Sequence, residues 1–94
     1  MLKDIKKLME LRKEAKNIQA KLKKIHIEAS DDNNNVKITM DAEQKVLKVE
    51  ILQEIAKEQM ESALVDAMNK AIKKSQEIAA ENMKGILGDL SAGM

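Results

Sequence analysis

The chain has no Phe, Tyr or Trp, no Cys, a single His and a single Arg. Aromatic side chains bring the largest burial per residue, about 150–250 Å² each, so the core must be assembled from Leu, Ile, Val, Ala and seven Met. A chain of 94 residues is one domain, burying about 60–70% of its unfolded surface. Without aromatics, disulfides or a cluster of metal ligands, oligomerisation is the expected supplement to so small a core. The missing aromatics also count against single-stranded nucleic acid, which is held by stacking. They count equally against a membrane-surface helix, which carries Trp or Phe beside its Leu face. One His and no Cys leave few nucleophile–base pairings, and Ser30, Ser62, Ser75 and Ser91 lack a Gly-x-Ser-x-Gly context. No enzyme, small-molecule substrate, cofactor or metal is expected. The absence of cysteine fits a reducing compartment. No apolar run approaches the ~18–20 residues of a membrane span, and Met1-Leu2-Lys3-Asp4-Ile5 lacks the apolar stretch of a signal peptide. A cytoplasmic protein without membrane attachment is the expectation.

What is present is charge, unevenly placed. Residues 1–24 hold nine of the 17 bases and three acids (Asp4, Glu10, Glu14), a net of +6. Residues 25–94 hold eight bases and 13 acids, a net of −5. A charge dipole of this size points to a polyanionic partner more than to a requirement of folding.

Leu8, Leu11, Ala15, Ile18, Leu22 and Ile25 recur at spacings of three and four. They predict a helix from about residue 2 to 24, with a narrow seam suited to packing on another helix. Leu2, Ile5 and Met9 extend that seam around one flank. The period then changes to two. Ile25, Ile27 and Ala29 alternate with polar residues, as do Val36, Ile38 and Met40. Leu47, Val49 and Ile51 alternate with Val46, Lys48 and Glu50. Polar runs at 31–35 and 41–45 separate the three, which predicts an antiparallel meander with one buried face. From about Ile55 to Met83 the helical period returns as a wide stripe including Met60, Ala63, Leu64, Ala67, Met68, Ala71, Ile72 and Ser75. Gly85, Gly88 and Gly93 predict a loosened tail over 84–94. The fold class is α+β in the order α-β-β-β-α.

Aligned to the calcium-loop pattern, Asp31, Asn33 and Asn35 fill liganding positions, but the required Gly falls on Val36 and the closing Glu on Ala42. The run is read as a polar turn. Gly85-Ile86-Leu87-Gly88 has the form of a G-x-x-G clamp, but its apolar inner residues read better as a helix end. His26 falls on the polar face of the first strand.

The basic helix remains. Lys21, Lys23 and Lys24 lie in its last turn, where they offset the helix dipole. Lys3, Lys6 and Lys7 lie near its start, where positive charge opposes the dipole, so folding does not account for them. Lys3, Lys6, Lys13, Lys21 and Lys24 share an arc of about 80° facing away from the Leu/Ile seam, with Lys16 and Lys23 flanking it. Lysines spread along ~30 Å suit the phosphates of a duplex, contacted with little sequence readout. With Arg12 as the one arginine, bidentate guanine reading is scarcely available.

The chain resembles the YbaB/EbfC family of bacterial nucleoid-associated proteins. The resemblance rests on the Lys-rich first helix with Ile18-Gln19-Ala20-Lys21-Leu22, on Val36-Lys37-Ile38-Thr39 and Val46-Leu47-Lys48-Val49, and on Ala67-x-Asn69-x-Ala71-x-x-Lys74 in the last helix. It implies a single domain over 1–94 and a homodimer whose sheets and apolar helix faces share a core. It also implies duplex DNA binding through projecting helices, a nucleoid location, and a role in nucleoid organisation or gene regulation. Matched by position, Lys3, Lys6, Lys7, Arg12, Lys13 and Lys16 form the basic face of the first helix. Lys70, Lys73 and Lys74 form that of the last. Leu8, Leu11, Ile18, Leu22, Ile38, Met40, Leu64, Ala67, Met68 and Ala71 are the expected core and dimer residues. The chain departs from the family at its turns, with Asp31-Asp32-Asn33-Asn34-Asn35 and Asp41-Ala42-Glu43-Gln44 where glycines are common, and Leu52-Gln53 where a proline often stands. A reading of another class is a prefoldin-like, holdase-type interaction module with no DNA role, since Met-rich helical faces adapt to many partners. An apolar patch left open after dimerisation would mark it.

Overall fold

The computed structural model describes the backbone of residues 2–92 and the side chains of residues 4–84. Helix α1 (Leu2–Lys24) leads into strands β1 (His26–Ser30), β2 (Val36–Asp41) and β3 (Val46–Ile51), and helix α2 (Lys57–Ala92) follows. The strands form one antiparallel sheet in the order β1-β2-β3. The molecule is a rod of 63 × 19 × 16 Å, because α2 alone is about 54 Å long at 1.5 Å per residue.

The core follows from two periods meeting. Ile27, Ala29, Val36, Ile38 and Met40 alternate onto one face of β1 and β2, and all are buried. Against them α2 sets Ala63, Ala67, Ala71 and Ser75, spaced by four on one line of the helix and also buried. Because these side chains are small, the helix backbone lies close to the sheet. The buried Ser75 hydroxyl donates to the Asp41 carbonyl at 3.1 Å, so the one polar residue in that line is satisfied. The same corner anchors α1: the Ala42 N–H and the Ile25 N–H both donate to the Leu22 carbonyl, at 3.1 and 3.2 Å. The Leu22 side chain is buried beneath them.

The two glycine-free turns are built by aspartates. Asp31 Oδ1 accepts from the N–H groups of Asn35 (2.7 Å) and Val36 (2.8 Å), and Asn34 takes the left-handed conformation at φ 53°. Asp41 Oδ1 accepts from Glu43 (2.8 Å) and Lys45 (3.0 Å), with Gln44 at φ 69°. Side-chain acceptors thus bend the chain where glycine would otherwise be used. Asp31 and Asp41 are therefore occupied within their own turns.

Burial works against the Asp31 carboxylate, but the N–H bonds from Val36 and Asn35 outweigh it and hold its pKa below the ordinary 3.8. A lowered carboxylate pKa contributes stability that is present above the unfolded value and is lost as pH falls through the folded one. Acidification below about pH 4 is therefore expected to release the β1–β2 turn. Amide exchange at Asn35 and Val36 should accelerate there, and the acid-specific acceleration should disappear in Asp31→Asn.

Three expectations are corrected. Helix α2 continues to Ala92, so Gly85 and Gly88 lie within helical backbone; residues 93–94 lie outside the described residues. The β2–β3 register shifts between Thr39 and Met40, pairing Met40 with Val46 and Ile38 with Val49. Leu47 is thereby left in the irregularity, and Val46 replaces it on the core side. Leu8, expected in the core or the dimer contact, takes no part in the core of the single chain, where it is 59% exposed, because the packed seam of α1 fades toward its N-terminus.

Candidate nucleic-acid interface

Within α1, Lys6, Lys7, Arg12, Lys13 and Lys16 are all exposed. Lys3 belongs to the α1 backbone, but its side chain lies outside the described residues. Among the described residues the ion pairs join Lys37 to Glu28 (3.7 Å) and Glu50 (3.1 Å), Lys48 to Glu50 (2.6 Å), and Lys70 to Asp32 and to Asp66 (3.2 Å for the latter). None involves α1, so its positive charge is neutralised by no protein partner there.

At 100° per residue, Asp4 falls toward α2 and Glu10 and Glu14 on one edge of α1, where Glu10 lies one turn from Lys6 without pairing with it. An arc of about 120° on the outer side contains Lys6, Arg12, Lys13 and Lys16 and no acid. The seam orients this arc: Leu22 is buried, and Leu11 and Ile18 are half-buried. Ile18 and Leu22 meet Ala79 and Met83 of α2 across a shallow groove floored by Ala42. The basic arc therefore faces outward along a helix about 35 Å long.

The bases of α2 divide. Lys73 is exposed. Lys70 is held by the carboxylates of Asp32 and Asp66, whose hydrogen bonds raise its pKa. Lys74 Nζ donates to the Glu28 carbonyl on β1 at 2.9 Å. Lys70 thus fastens α2 to the β1–β2 turn and Lys74 fastens it to β1, roles invisible in sequence because the partners lie 38 and 46 positions away. The far end of the body, around the β1–β2 turn, is lined by Asp31, Asp32, Glu58 and Asp66. Negative charge is thus gathered at that end and positive charge along α1.

A second surface involves Leu64 and Met68 of the expected core and dimer set. Asp66, Lys70 and Lys74 point α2 toward β1, so Leu64, Met68 and Ile72, on the opposite flank, turn toward β3. Helix α2 covers β1 and β2 but leaves the core-side residues of β3 open, with Val49 46% and Ile51 64% exposed. Leu64, Met68 and Ile72 are only half-buried. The result is an apolar trough between α2 and an unpaired edge strand, of a kind that a lone soluble domain seldom leaves open. The expected core and dimer residues thus separate: Leu22, Ile38, Met40, Ala67 and Ala71 are interior, Leu64 and Met68 border the trough, and Leu11 and Ile18 lie in the helix seam.

The family model for the YbaB/EbfC DNA-binding family matches residues 1–90. A nucleoid-associated protein of Prochlorococcus marinus strain NATL2A is 35% identical over 91 residues, covering 94% of this chain and 76% of its own. One from Neisseria gonorrhoeae strain NCCP11945 is 33% identical over 96 residues, covering 96% and 86%. The crystal structure of an uncharacterized protein from Helicobacter pylori superimposes with a TM-score of 0.78 at 20% identity, covering 85% of this chain and 88% of that one. That likeness supports the α-β-β-β-α fold alone.

Proposed function

Because the chain belongs to the YbaB/EbfC DNA-binding family, we propose that it binds duplex DNA in the bacterial nucleoid as a homodimer, largely without sequence specificity, through its basic helices. The observation that carries this reading is the acid-free outer arc of α1, whose bases have no partner among the described residues. A row of unpaired bases along one helix face is what a phosphate backbone would meet with little sequence readout. Lys6, Lys7, Arg12, Lys13 and Lys16 are the proposed contacts, with Lys3 beside them. Lys73 is a secondary contact, and Lys70 and Lys74 contribute only if their present partners release them. The α2–β3 trough is the proposed dimer surface, since a second copy would cover the open half of the sheet. Relatives named nucleoid-associated support the cellular setting.

The test is anisotropy of a labelled duplex across a salt series. Each phosphate contact should add about −0.9 to the slope of log affinity against log salt. Lys6→Glu/Lys13→Glu should weaken binding by at least tenfold and flatten that slope. A slope near zero, or a double variant that binds like the parent, refutes the proposal.

A further inference from the structure

The outer arc of α1 is not purely cationic. Ile5 is 56% and Met9 65% exposed. The two lie one turn apart, about 120–160° around the helix from the middle of the packed Leu11–Ile18–Leu22 line. They are therefore not part of the seam that the sequence pattern assigned to them. Lys6, Arg12, Lys13 and Lys16 surround them, and no acid shares the arc. Phosphate contact alone leaves these two apolar side chains without a role.

We infer that Ile5 and Met9 contact the 5-methyl groups of thymine in the major groove, giving the protein a preference for A·T-containing duplex. This rests on the proposed DNA reading and deepens it. The major groove is wide enough for one α-helix, and the thymine methyl is the apolar feature displayed there. A helix seated with this arc inward would place Lys and Arg against the flanking phosphates on both sides, while Ile5 and Met9 reach the groove floor. The charge around the pair selects a polyanion, and the apolar pair selects one that offers methyl groups. An anionic lipid surface shares the charge but calls for a continuous apolar face. Here the exposed large apolar side chains described on α1 are Ile5, Leu8 and Met9, a short cluster interrupted by Arg12 and bordered by Lys6, Lys13 and Lys16 rather than a continuous face along the helix.

The deciding experiment compares the full-length protein on an A·T-rich duplex and on the same duplex with every thymine replaced by uracil, which removes only the methyl groups. Affinity should fall on the uracil duplex by about fourfold for each methyl in contact. In Ile5→Gln/Met9→Gln, whose substituted positions are exposed and whose new residues are good helix formers, the two duplexes should bind alike with the salt slope retained. Equal affinity of the parent protein for both duplexes, with a normal salt slope, overturns the methyl contact and leaves DNA binding intact. Failure of the parent protein to bind either duplex overturns both readings. Tighter binding to phosphatidylglycerol vesicles than to DNA, lost in the double variant, overturns the inference in favour of a lipid surface.

Discussion

Val49→Lys should convert the protein to a monomer and lower its affinity for duplex DNA by about 100-fold or more. Val49 pairs with the fully buried Ile38, and its side chain faces the open trough. In an isolated chain the substituted lysine can extend into water from a half-exposed position, so the fold should survive with an unchanged circular dichroism spectrum. In a dimer that closes the trough, the same ammonium would be buried without a partner, at a cost well above the stability of an ordinary interface contact. Sedimentation should report a single-chain mass. The loss of DNA affinity follows from the two arms: once one α1 is bound, the other is held near the same duplex at high effective concentration, an advantage of about 10²–10⁴ that a monomer forfeits. The sign makes this a demanding test, since the substitution adds positive charge and would by itself strengthen binding. A variant that remains dimeric rules out the trough as the interface.

Ile38→Ala should destabilise the protein by about 2–4 kcal/mol, equivalent to a fall in Tm of roughly 10–25 °C for a domain of this size. Ile38 sits at the centre of β2 with no solvent exposure, below Ala67 and Ala71. The helix line facing it is made of small residues, and no aromatic ring stands nearby to shift into a cavity. Ile51→Ala provides the contrast. Its side chain is exposed in the single chain, so its effect on thermal unfolding should grow with protein concentration as the dimer populates. A small, concentration-independent effect of Ile38→Ala would mean that the centre of this core is far more plastic than close packing allows.

Much of this architecture can be read from local pattern. The alternation of threes and fours places α1 at Leu2–Lys24, and the change to a period of two places the three strands, because both signals arise from one buried face and need no knowledge of neighbours. What local pattern misses is decided by distant residues. The bulge in β3 moves Val46 to the core side, a matter of register between strands rather than of either strand's composition. Lys70 and Lys74 look like a basic patch until Asp32 and the Glu28 carbonyl are brought beside them by the fold. Ile5 and Met9 satisfy a helical periodicity in sequence but fall outside the packed sector of α1. The end of α2 is misjudged for the opposite reason. Glycine lowers helix propensity by about 1 kcal/mol, which weakens a helix without terminating it.

The attachment of α1 has a mechanical side. Its last turn is clamped by the Leu22 side chain and by two N–H groups donating to the Leu22 carbonyl. Ile18 and Leu11 grip less, and Leu8 not at all. This is a tapered cantilever, held most firmly at the sheet, with Lys6, Lys7, Arg12, Lys13 and Lys16 toward the less tightly held end. From Leu22 to Lys6 the span is about 24 Å, so a tilt of 10° at the root sweeps the tip through about 4 Å. That travel is comparable with the differences in groove width between DNA sequences, and a pair of such arms could follow a duplex whose shape varies along its length.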